Sequence, residues 1–410
     1  MLPNIQRDKL FLASRIALIA TAMTFAFRAA LEGVWGSEFT LTKEQVGWIF
    51  APAFWGFTLA QIFGGSLVDV LGMKKLLGFA FIGQVAGIIT YLIAKDATTL
   101  FIGTVFIGIG NGMVEAACNP LVVSLYPENK TTMLNRFHVW FPGGIVVGGV
   151  LSYLLMEKMH LDWRILIASL FIPVIIYGFM FWKLELPKTE RVSKGISTKE
   201  MFASCLNPLY LIMLVCMLMT AATELGTGTW IVALLSGANV SGIIILVFIN
   251  GIMALGRSFA GPVVHRINPN GMLIFSAIFS LIGLLLLSQA SGYAAFGAAF
   301  VFAIGICFFW PTMLGFVSEY LPKTGALGLN LMGGGGMFSV ALVIPIMGRW
   351  FDEAKAKAVT TGTDALKADA VAGSDTFLKV AIMPLILVVI FTTIYVIRRK
   401  HYQKPVTQAV

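Results

Sequence analysis

The sequence predicts an all-α integral membrane protein with twelve transmembrane helices, arranged as two six-helix pseudo-repeat halves. Three observations carry this prediction. Hydrophobic residues make up 58% of the 410 residues and charged residues only 12%, which excludes a soluble domain of this size. Apolar segments long enough to cross a bilayer follow one another along the chain. Several landmarks recur at about half the chain length.

The apolar segments are the predicted spans, because a helix needs about 20 mostly apolar residues to cross a bilayer. They lie at 10–36, 44–70, 75–95, 98–125, 132–157, 164–184, 207–235, 240–265, 270–289, 293–320, 326–350 and 377–398. The first has no small-residue cleavage site after it, so it is expected to be a retained span and not a signal peptide.

The longer polar segments divide the predicted spans into two groups. Residues 1–185 form the predicted N-terminal half and residues 207–410 the C-terminal half, joined by a polar, basic linker at 186–206. A second polar connection, 352–376, is rich in Ala, Asp, Lys and Thr. Lys and Arg are more frequent on the side that carries both termini and the linker. The positive-inside rule therefore predicts this side to be cytoplasmic.

The net charge is +9, from 29 basic and 20 acidic residues. In a membrane protein such a charge is typical of basic cytoplasmic loops, so no nucleic-acid partner is expected. The four cysteines have no metal-ligand spacing and define no disulfide framework. No cofactor, metal or nucleophilic triad is predicted.

Landmarks in the first half recur in the second half. A segment beginning at Gly65 has a counterpart at Gly261, 196 residues later. The proline breaks at Asn119-Pro120 and Trp310-Pro311, and the pairs Leu134-Asn135 and Leu329-Asn330, recur at nearly the same spacing. Two six-span halves related in this way are the organisation of parallel-repeat secondary transporters.

The loop between spans 2 and 3 carries a glycine, acid and lysine pattern. It reads Gly65-x-x-x-Asp69-x-x-Gly72-x-Lys74-Lys75. A carboxylate at Asp69 can accept hydrogen bonds from a helix N-terminus or pair with a cation. Gly65 permits close helix approach and Gly72 a tight turn. The pattern resembles the loop signature of the major facilitator superfamily and predicts a latch that holds the cytoplasmic gate shut. The second copy has His265 in place of the acid, which predicts a weaker latch there.

The stretch 108–149 carries polar residues inside apolar sequence, which by default marks a functional site. Its segments are Glu115-Ala-Ala-Cys-Asn119-Pro120 and Leu134-Asn135-x-x-His138. Together with Phe39-Thr-Leu-Thr42, they resemble the fucose permease branch of the superfamily. The resemblance implies that Glu115 takes part in proton coupling and that polar residues of span 5, here Asn135 and His138, contact sugar. The permease has glutamine at the position of His138.

The chemistry of these residues supports the same roles. Burial favours the neutral form of Glu115, so this carboxyl can carry a proton. Asn119 lies one turn further on the same helix face. Pro120 lacks an N–H and frees the carbonyl of Ala116, and amides and free carbonyls suit a neutral polyol. Two alternatives remain open: Glu115 pairs structurally with an arginine, or His138 is a satisfied interhelical histidine.

Span 1 supplies a second group of charges. Arg28 and Glu32 are spaced i, i+4 and predict an ion pair along one helix face. The fucose permease has an essential aspartate on span 1, and Glu32 is the acid nearest to that position. Glu32 and Arg28 are therefore candidates for proton coupling, with Arg28 alternating between Glu32 and Glu115. A static ion pair near the outer end of the span is the alternative.

Other candidate residues lie on the second half. The segment 223–230 places Glu224 beside two glycines, which predicts a loosened helix. Trp230 and Trp310 are predicted to stack on sugar, or, for Trp230, to anchor at the membrane interface. Asn250 and Asn330 are predicted hydrogen-bonding groups of the substrate site. The remaining predictions are Arg257 as a cytoplasmic gate residue and Gly333–Gly336 as a close-packing helix segment.

The sequence therefore predicts a secondary transporter, not an enzyme, that imports a small neutral sugar by alternating access. The sugar is a hexose or related polyol, and it enters by cation symport with protons as the expected co-transported ion and sodium left open. The expected setting is a monomer in the plasma membrane, the inner membrane in a bacterium, with both termini cytoplasmic. The alternatives are an uncoupled sugar uniporter, a proton-coupled exporter of drugs or metabolites, and a transporter-derived receptor without flux.

Overall fold

The computed structural model describes residues 4–41, 43–235 and 242–402. Across these ranges the chain is helical and has no β-strand, and eleven helices are long and apolar enough to cross a membrane. A twelfth apolar helix, Ile244–Ser258, is shorter and falls within the predicted eighth span. The predicted fold class is confirmed. Thr42 and the first two residues of the predicted eighth span, 240 and 241, lie outside the described residues.

The N-terminal half contains spans 1 to 6. Span 1 is Asn4–Glu38, span 2 is Lys43–Phe50 with Pro52–Leu71, span 3 is Met73–Leu92, span 4 is Ala97–Leu125, span 5 is Lys130–His138, Trp140–Ser152 and the π-helix Tyr153–Lys158, and span 6 is Trp163–Ser169 with Phe171–Lys183. Span 4 begins where the Asp96 side chain accepts a hydrogen bond of 2.8 Å from the Thr99 backbone N–H. This bond to the helix N-terminus holds the pKa of Asp96 below its ordinary value.

The C-terminal half contains spans 7 to 12. Span 7 consists of Pro208–Ala221, the π-helix Ala222–Gly226 and Thr227–Leu234. Span 8 contains Gly242–Ser258 and the first part of the helix Ala260–Leu287, and the rest of that helix is span 9. Span 10 is Ala294–Ile306 with Phe309–Tyr320, span 11 is Gly325–Thr360 after the 3₁₀ turn Pro322–Thr324, and span 12 is Ala365–Tyr402. A non-helical residue, Asn268, separates spans 8 and 9 within their continuous assignment.

The tight turn after span 2 recurs after span 8. Gly72 has φ 85° and ψ 151°, and Asn268 has φ 55° and ψ 169°. These residues are 196 positions apart, as are Gly65 and Gly261. Positive φ is inexpensive for glycine and tolerated by asparagine, so the two loops reach the same turn with different residues.

The linker contains two short helices, Glu190–Ser193 and Thr198–Cys205. The second begins with a capping box, because Ser197 and Glu200 each bond to the other residue's backbone N–H. Hydrogen bonds from the backbone and hydroxyl of Ser197 lower the pKa of Glu200. The linker is therefore ordered. The side of the bundle on which it lies is called the linker side below.

The prediction of a polar loop at 352–376 is wrong. Helices continue into it from spans 11 and 12 and leave only a short turn containing Gly362, which has φ 87°. Alanine-rich sequence favours helix, and Lys355 pairs with Asp369 across the hairpin at 2.8 Å. Span 11 has 36 residues, about 54 Å at 1.5 Å per residue, against a hydrocarbon core of about 30 Å. The hairpin therefore projects from the membrane on the side opposite the linker.

Candidate functional site

Three buried side chains of the N-terminal half form a hydrogen-bonded chain. Asn119 Nδ2 donates to Glu115 Oε2 over 2.7 Å, and Asn119 Oδ1 lies 3.1 Å from His138 Nε2. None of the three residues is more than 2% exposed. Glu115 and Asn119 share one face of span 4 because they are four residues apart. The structure thus brings the predicted proton site together with two predicted sugar contacts.

Arg257 of span 8 joins this chain to the C-terminal half. It is 1% exposed and pairs with Glu224 Oε1 at 2.8 Å. It also donates to the backbone carbonyl of His138 over 3.1 Å and to that of Cys307 over 2.6 Å. Arg257, predicted as a cytoplasmic gate residue, lies beside the His138 carbonyl and Glu224 and not in the motif around Asp69. Arg257 forms its ion pair with Glu224 and not with Glu115.

Three prolines account for the backbone carbonyls used at this site. A proline cannot donate to the carbonyl four residues before it, so Pro120, Pro142 and Pro311 leave three carbonyls without their helical partners. These carbonyls belong to Ala116, His138 and Cys307. Arg257 binds two of them, and Asn330 Nδ2 of span 11 donates to the Ala116 carbonyl over 3.1 Å. The carbonyl that the sequence predicted to be free is therefore bound by the opposite half.

Two further asparagines predicted as substrate contacts bind protein groups. Asn135 Nδ2 donates to the Thr131 carbonyl over 2.9 Å and lies 3.3 Å from Thr312 Oγ1 of span 10, while its Oδ1 is buried without a partner in the described chain. Asn250 donates to the carbonyl of Leu246 in its own helix. Asn135 thus bridges the two halves, whereas the Asn250 amide is engaged within span 8.

The predicted loosening of span 7 is present as a π-helical turn, Ala222–Gly226, that carries Glu224. Such turns are frequent at functional sites. The two tryptophans differ in their environment. Trp230 donates from Nε1 to the Ile344 carbonyl over 3.0 Å. Trp310 is 7% exposed, and its Nε1 is buried without a partner among the described residues.

The predicted ion pair on span 1 does not form. The guanidinium of Arg28 lies over the rings of Phe25 and Phe54, 4.6 Å from each ring centre. Glu32 is exposed, and no pair between it and Arg28 occurs among the ion pairs of the described residues. The aromatic rings provide a cation–π site that competes with the i, i+4 carboxylate. Glu32 is not a member of the hydrogen-bonded chain that Glu115, Asn119 and His138 form among the described residues.

The latch motif contacts the linker. Asp69 has an almost fully buried side chain, pairs with Arg191 Nε at 2.6 Å and accepts a hydrogen bond from Thr189. Lys74 Nζ donates to the carbonyls of Trp182 and Leu184 at the end of span 6, over 2.8 and 3.0 Å. Lys75 is exposed. The motif therefore fastens the linker and span 6 to the end of span 2.

The two glycines of the motif lie at a turn and at a close helix contact. Gly72 has positive φ in the turn after span 2. A Cβ at Gly65 would lie 2.6 Å from the Cβ of Asn330, so Gly65 permits close contact between spans 2 and 11. Because Gly65 and Asn330 belong to opposite halves, this contact holds the halves together on the linker side.

The sequence prediction missed other contacts on the linker side. Lys130 Nζ pairs with Glu190 at 2.7 Å and donates to the Ser318 carbonyl over 3.0 Å. Glu319 of span 10 accepts hydrogen bonds from the backbone and hydroxyl of Thr131, over 3.0 and 2.6 Å. The sequence shows that these charges lie at span ends. It does not show which of them pair, because the pairing depends on how the halves pack.

Two buried glutamines were also missed. Gln84 is bonded to Asn111 and Tyr177, with both distances 2.8 Å. Gln61 of span 2 is 0% exposed, and neither atom of its amide has a partner in the described chain. A single glutamine in an apolar span has no periodicity or motif that would distinguish a bonded amide from an unbonded one.

Within the described residues no group of three or more His, Cys, Asp or Glu side chains could hold a metal ion. The four cysteines are free and buried. The chemistry available at the centre is therefore that of one carboxyl, one imidazole, several amides and an arginine–glutamate pair.

Solved structures of two sugar transporters share this fold. The E. coli fucose:proton symporter FucP is 15% identical with a TM-score of 0.70, and the match covers 92% of this chain and 98% of that one. The proton:xylose symporter XylE, with 6-bromo-6-deoxy-D-glucose bound, is 14% identical with a TM-score of 0.71, and the match covers 94% and 97%. At these identities the similarity establishes the fold, and the expected resemblance to the fucose permease is confirmed at that level.

Sequence similarity extends to a different group of transporters. Probable anion transporter 1, chloroplastic, from Oryza sativa subsp. japonica is 29% identical over 167 residues, which are 40% of this chain and 31% of that protein. The match thus spans about a third of the relative's own length. The model of the Major Facilitator Superfamily matches residues 16–343, which is most of the chain. The helical bundle, the repeated halves and this match lead to one conclusion: the chain belongs to the Major Facilitator Superfamily.

Proposed function

We propose that the protein imports a small neutral sugar, a hexose or related polyol, by cation symport with protons. The observation that carries the proposal is the buried chain of Glu115, Asn119 and His138. Glu115 forms no ion pair among those of the described residues, and an ionised carboxylate buried without a cation is costly. Binding of a proton neutralises it, so burial of this residue is coupled to proton uptake.

The charges around the chain favour a neutral substrate. Arg257 and Glu224 neutralise each other, so the pair presents no net charge. Asn119 and Asn135 supply amides, which suit hydroxyl groups. A proton on Glu115 and a sugar at these amides enter from the side opposite the linker. The halves then rock, the contacts around Asp69 open, and both are released on the linker side, which we propose to be cytoplasmic in a plasma-membrane monomer.

Purified protein in liposomes tests the proposal. The panel contains labelled D-glucose, D-galactose, L-fucose, D-xylose and D-galactonate. We expect at least one neutral sugar to be exchanged and to accumulate when an inward proton gradient is imposed. Glu115→Gln is expected to abolish accumulation and preserve exchange, because a glutamine cannot carry the proton. Glu32→Gln is the matched control and should accumulate sugar normally, since Glu32 is exposed.

Other outcomes contradict particular parts of the proposal. Accumulation driven only by a sodium gradient would exclude the proton as the coupling ion. Exchange without accumulation under either gradient would identify a uniporter. Absence of exchange for every neutral sugar would reject the sugar itself as substrate.

A second candidate function is transport of an organic anion. Arg28 lines a cavity within the N-terminal half together with Trp35 and Tyr91, and the described residues include no ion pair to Arg28. Trp35 Nε1 is buried and has no partner within the described ranges. A cation and an N–H donor facing one cavity suit a carboxylate or phosphate, and the plant relative's name refers to anions. In this case D-galactonate is exchanged and sugars are not, and Arg28→Gln abolishes the exchange.

A further inference from the structure

Gln61 is a buried polar residue that forms no side-chain hydrogen bond among the described residues. Its side chain is fully buried on span 2, and its donor and its acceptor are both without partners in the part of the chain that the structure describes. An unbonded buried amide destabilises a folded protein, because it loses its hydrogen bonds to water and gains none. Gln84, equally buried, shows the usual arrangement, with bonds to Asn111 and Tyr177.

The Gln61 amide faces span 11. A Cβ at Gly333 would collide with the amide of Gln61, so the glycine leaves the space that the amide occupies. Spans 2 and 11 belong to opposite halves, and in an alternating-access cycle the contact between them opens and closes. The amide is covered by span 11 in this arrangement and becomes accessible when the halves separate.

A second unbonded donor lies along the same strip of span 11. A Cβ at Gly336 would lie 2.8 Å from the ring of Trp310, whose Nε1 is buried with no partner in the part of the chain that the structure describes. Gly333 and Gly336 are three residues apart and therefore share a helix face. An amide and an indole thus flank one glycine strip from two sides, and each has unused hydrogen-bonding capacity.

We infer that Gln61 is a specificity-determining substrate contact, which binds two neighbouring hydroxyl groups of the sugar while the ring stacks on Trp310. An amide donates to one hydroxyl oxygen and accepts from the next hydroxyl, and an aromatic face packs against the C–H face of a sugar ring. The inference rests on the proposed function, because it takes the substrate to be a polyol. It adds a span 2 residue to the predicted substrate contacts, which lie on spans 4, 5, 7, 8, 10 and 11.

Stability separates this role from a structural one. Gln61→Met replaces the amide with an apolar side chain of similar length, and we expect the thermal midpoint of the purified protein to stay unchanged or rise. Gln84→Met is the matched control and should lower the midpoint, because it removes bonds to Asn111 and Tyr177. An equal loss for both variants would show that the Gln61 amide is bonded in the folded protein, and the inference would be overturned.

Transport gives the second measurement. The probe is the labelled sugar of the panel that wild-type protein exchanges fastest. We expect Gln61→Met to raise the KM for exchange about tenfold or more, with little change in the maximal rate. Deoxy analogues of the same sugar should identify two adjacent hydroxyls whose removal weakens wild-type binding but not that of the variant.

The outcomes distinguish this inference from the proposed function. If wild-type protein exchanges a sugar and Gln61→Met leaves both KM and the analogue pattern unchanged, Gln61 is no substrate contact and only the inference fails. If wild-type protein exchanges no sugar, the proposed function fails and the inference fails with it.

Discussion

Arg257 is the buried residue that joins Glu224 and the Cys307 carbonyl of its own half to the His138 carbonyl of the other half. Its guanidinium is withdrawn from water, so its charge requires a buried counter-charge and its other N–H groups require acceptors. Glu224 supplies the charge, and the carbonyls freed by Pro142 and Pro311 supply the acceptors. The interaction energy of such a pair is measured best by removing one partner and then both.

Arg257→Met is expected to lower the free energy of unfolding by about 3–5 kcal/mol, because Glu224 is left buried without its cation. Adding Glu224→Met should recover part of this loss, since no unpaired charge then remains. Denaturant unfolding of the purified variants measures both values, with Arg266→Met, an exposed arginine of span 8, as the control. A single variant as stable as wild type would show that the pair contributes nothing to the fold.

At the scale of helices, two sets of contacts connect the spans: side chains that bind the carbonyls freed by prolines, and ion pairs to the linker. Proline breaks in spans 4, 5 and 10 free carbonyls, and side chains from spans 8 and 11 bind them. On the linker side, Asp69 and Arg191 fasten span 2 to the linker, and Lys130 and Glu190 fasten span 5 to it. The arrangement is therefore closed on the linker side by contacts that the proposed transport cycle must break.

Arg191→Gln is expected to shift the protein toward a form open on the linker side. The change removes a charged hydrogen bond worth about 1.5–3 kcal/mol from the closed form only. Spin labels at cysteines replacing the exposed residues Glu128 and Lys323 report the distance between the halves, and the four native cysteines are buried. We expect the population at longer distance to increase about tenfold or more, whereas Lys75→Gln, the exposed lysine of the same loop, should leave it unchanged.

Gly65→Ala tests the helix contact itself. The added Cβ would lie 2.6 Å from the Cβ of Asn330, so spans 2 and 11 cannot pack as closely. The same label pair should again report a larger population at long distance. Gly78→Ala is the control, because a Cβ there meets no atom within 4 Å. An unchanged distance distribution in Gly65→Ala would mean that the contact does not limit closure.

At the scale of the whole molecule, the proposed cycle has a defined charge. The internal ion pair of Arg257 and Glu224 has no net charge. In the proposed cycle Glu115 carries one proton across the membrane. With a neutral sugar, each cycle moves one positive charge inward. With a monovalent organic anion, the same proton makes the cycle electroneutral. The membrane potential therefore distinguishes the two candidate functions.

A potassium diffusion potential of about 100 mV, negative inside, is worth about 2.3 kcal/mol per charge. We expect it to raise accumulation of a neutral sugar about fiftyfold at equal internal and external pH. Glu115→Gln should show no response, since no charge is moved with the sugar. Accumulation that is driven by a pH gradient but insensitive to the potential would support proton symport of an anion.

Much of the fold was predictable because membrane spans are long, apolar and separated by polar turns. The repeat was visible because proline, glycine and asparagine mark helix breaks directly, as at Pro120 and Pro311. The hairpin between spans 11 and 12 was mistaken for a loop because its polar composition resembles a connection, while its alanine content favours helix. The ion pair of Arg28 and Glu32 was predicted wrongly, because helical spacing does not show which aromatic rings the other spans bring near the arginine.

The candidate site was predictable in its members but not in its pairings. The sequence by itself determined that polar groups such as Glu115 and His138 lie inside apolar spans, because each interrupts apolar sequence. Only the tertiary structure decided that Arg257 pairs with Glu224, that Asn330 binds the carbonyl freed by Pro120, and that Gln61 has no partner among the described residues. The physical reason is that hydrogen bonds between spans depend on the rotation and depth of each helix. Those are set by packing of the whole bundle, which no single span encodes.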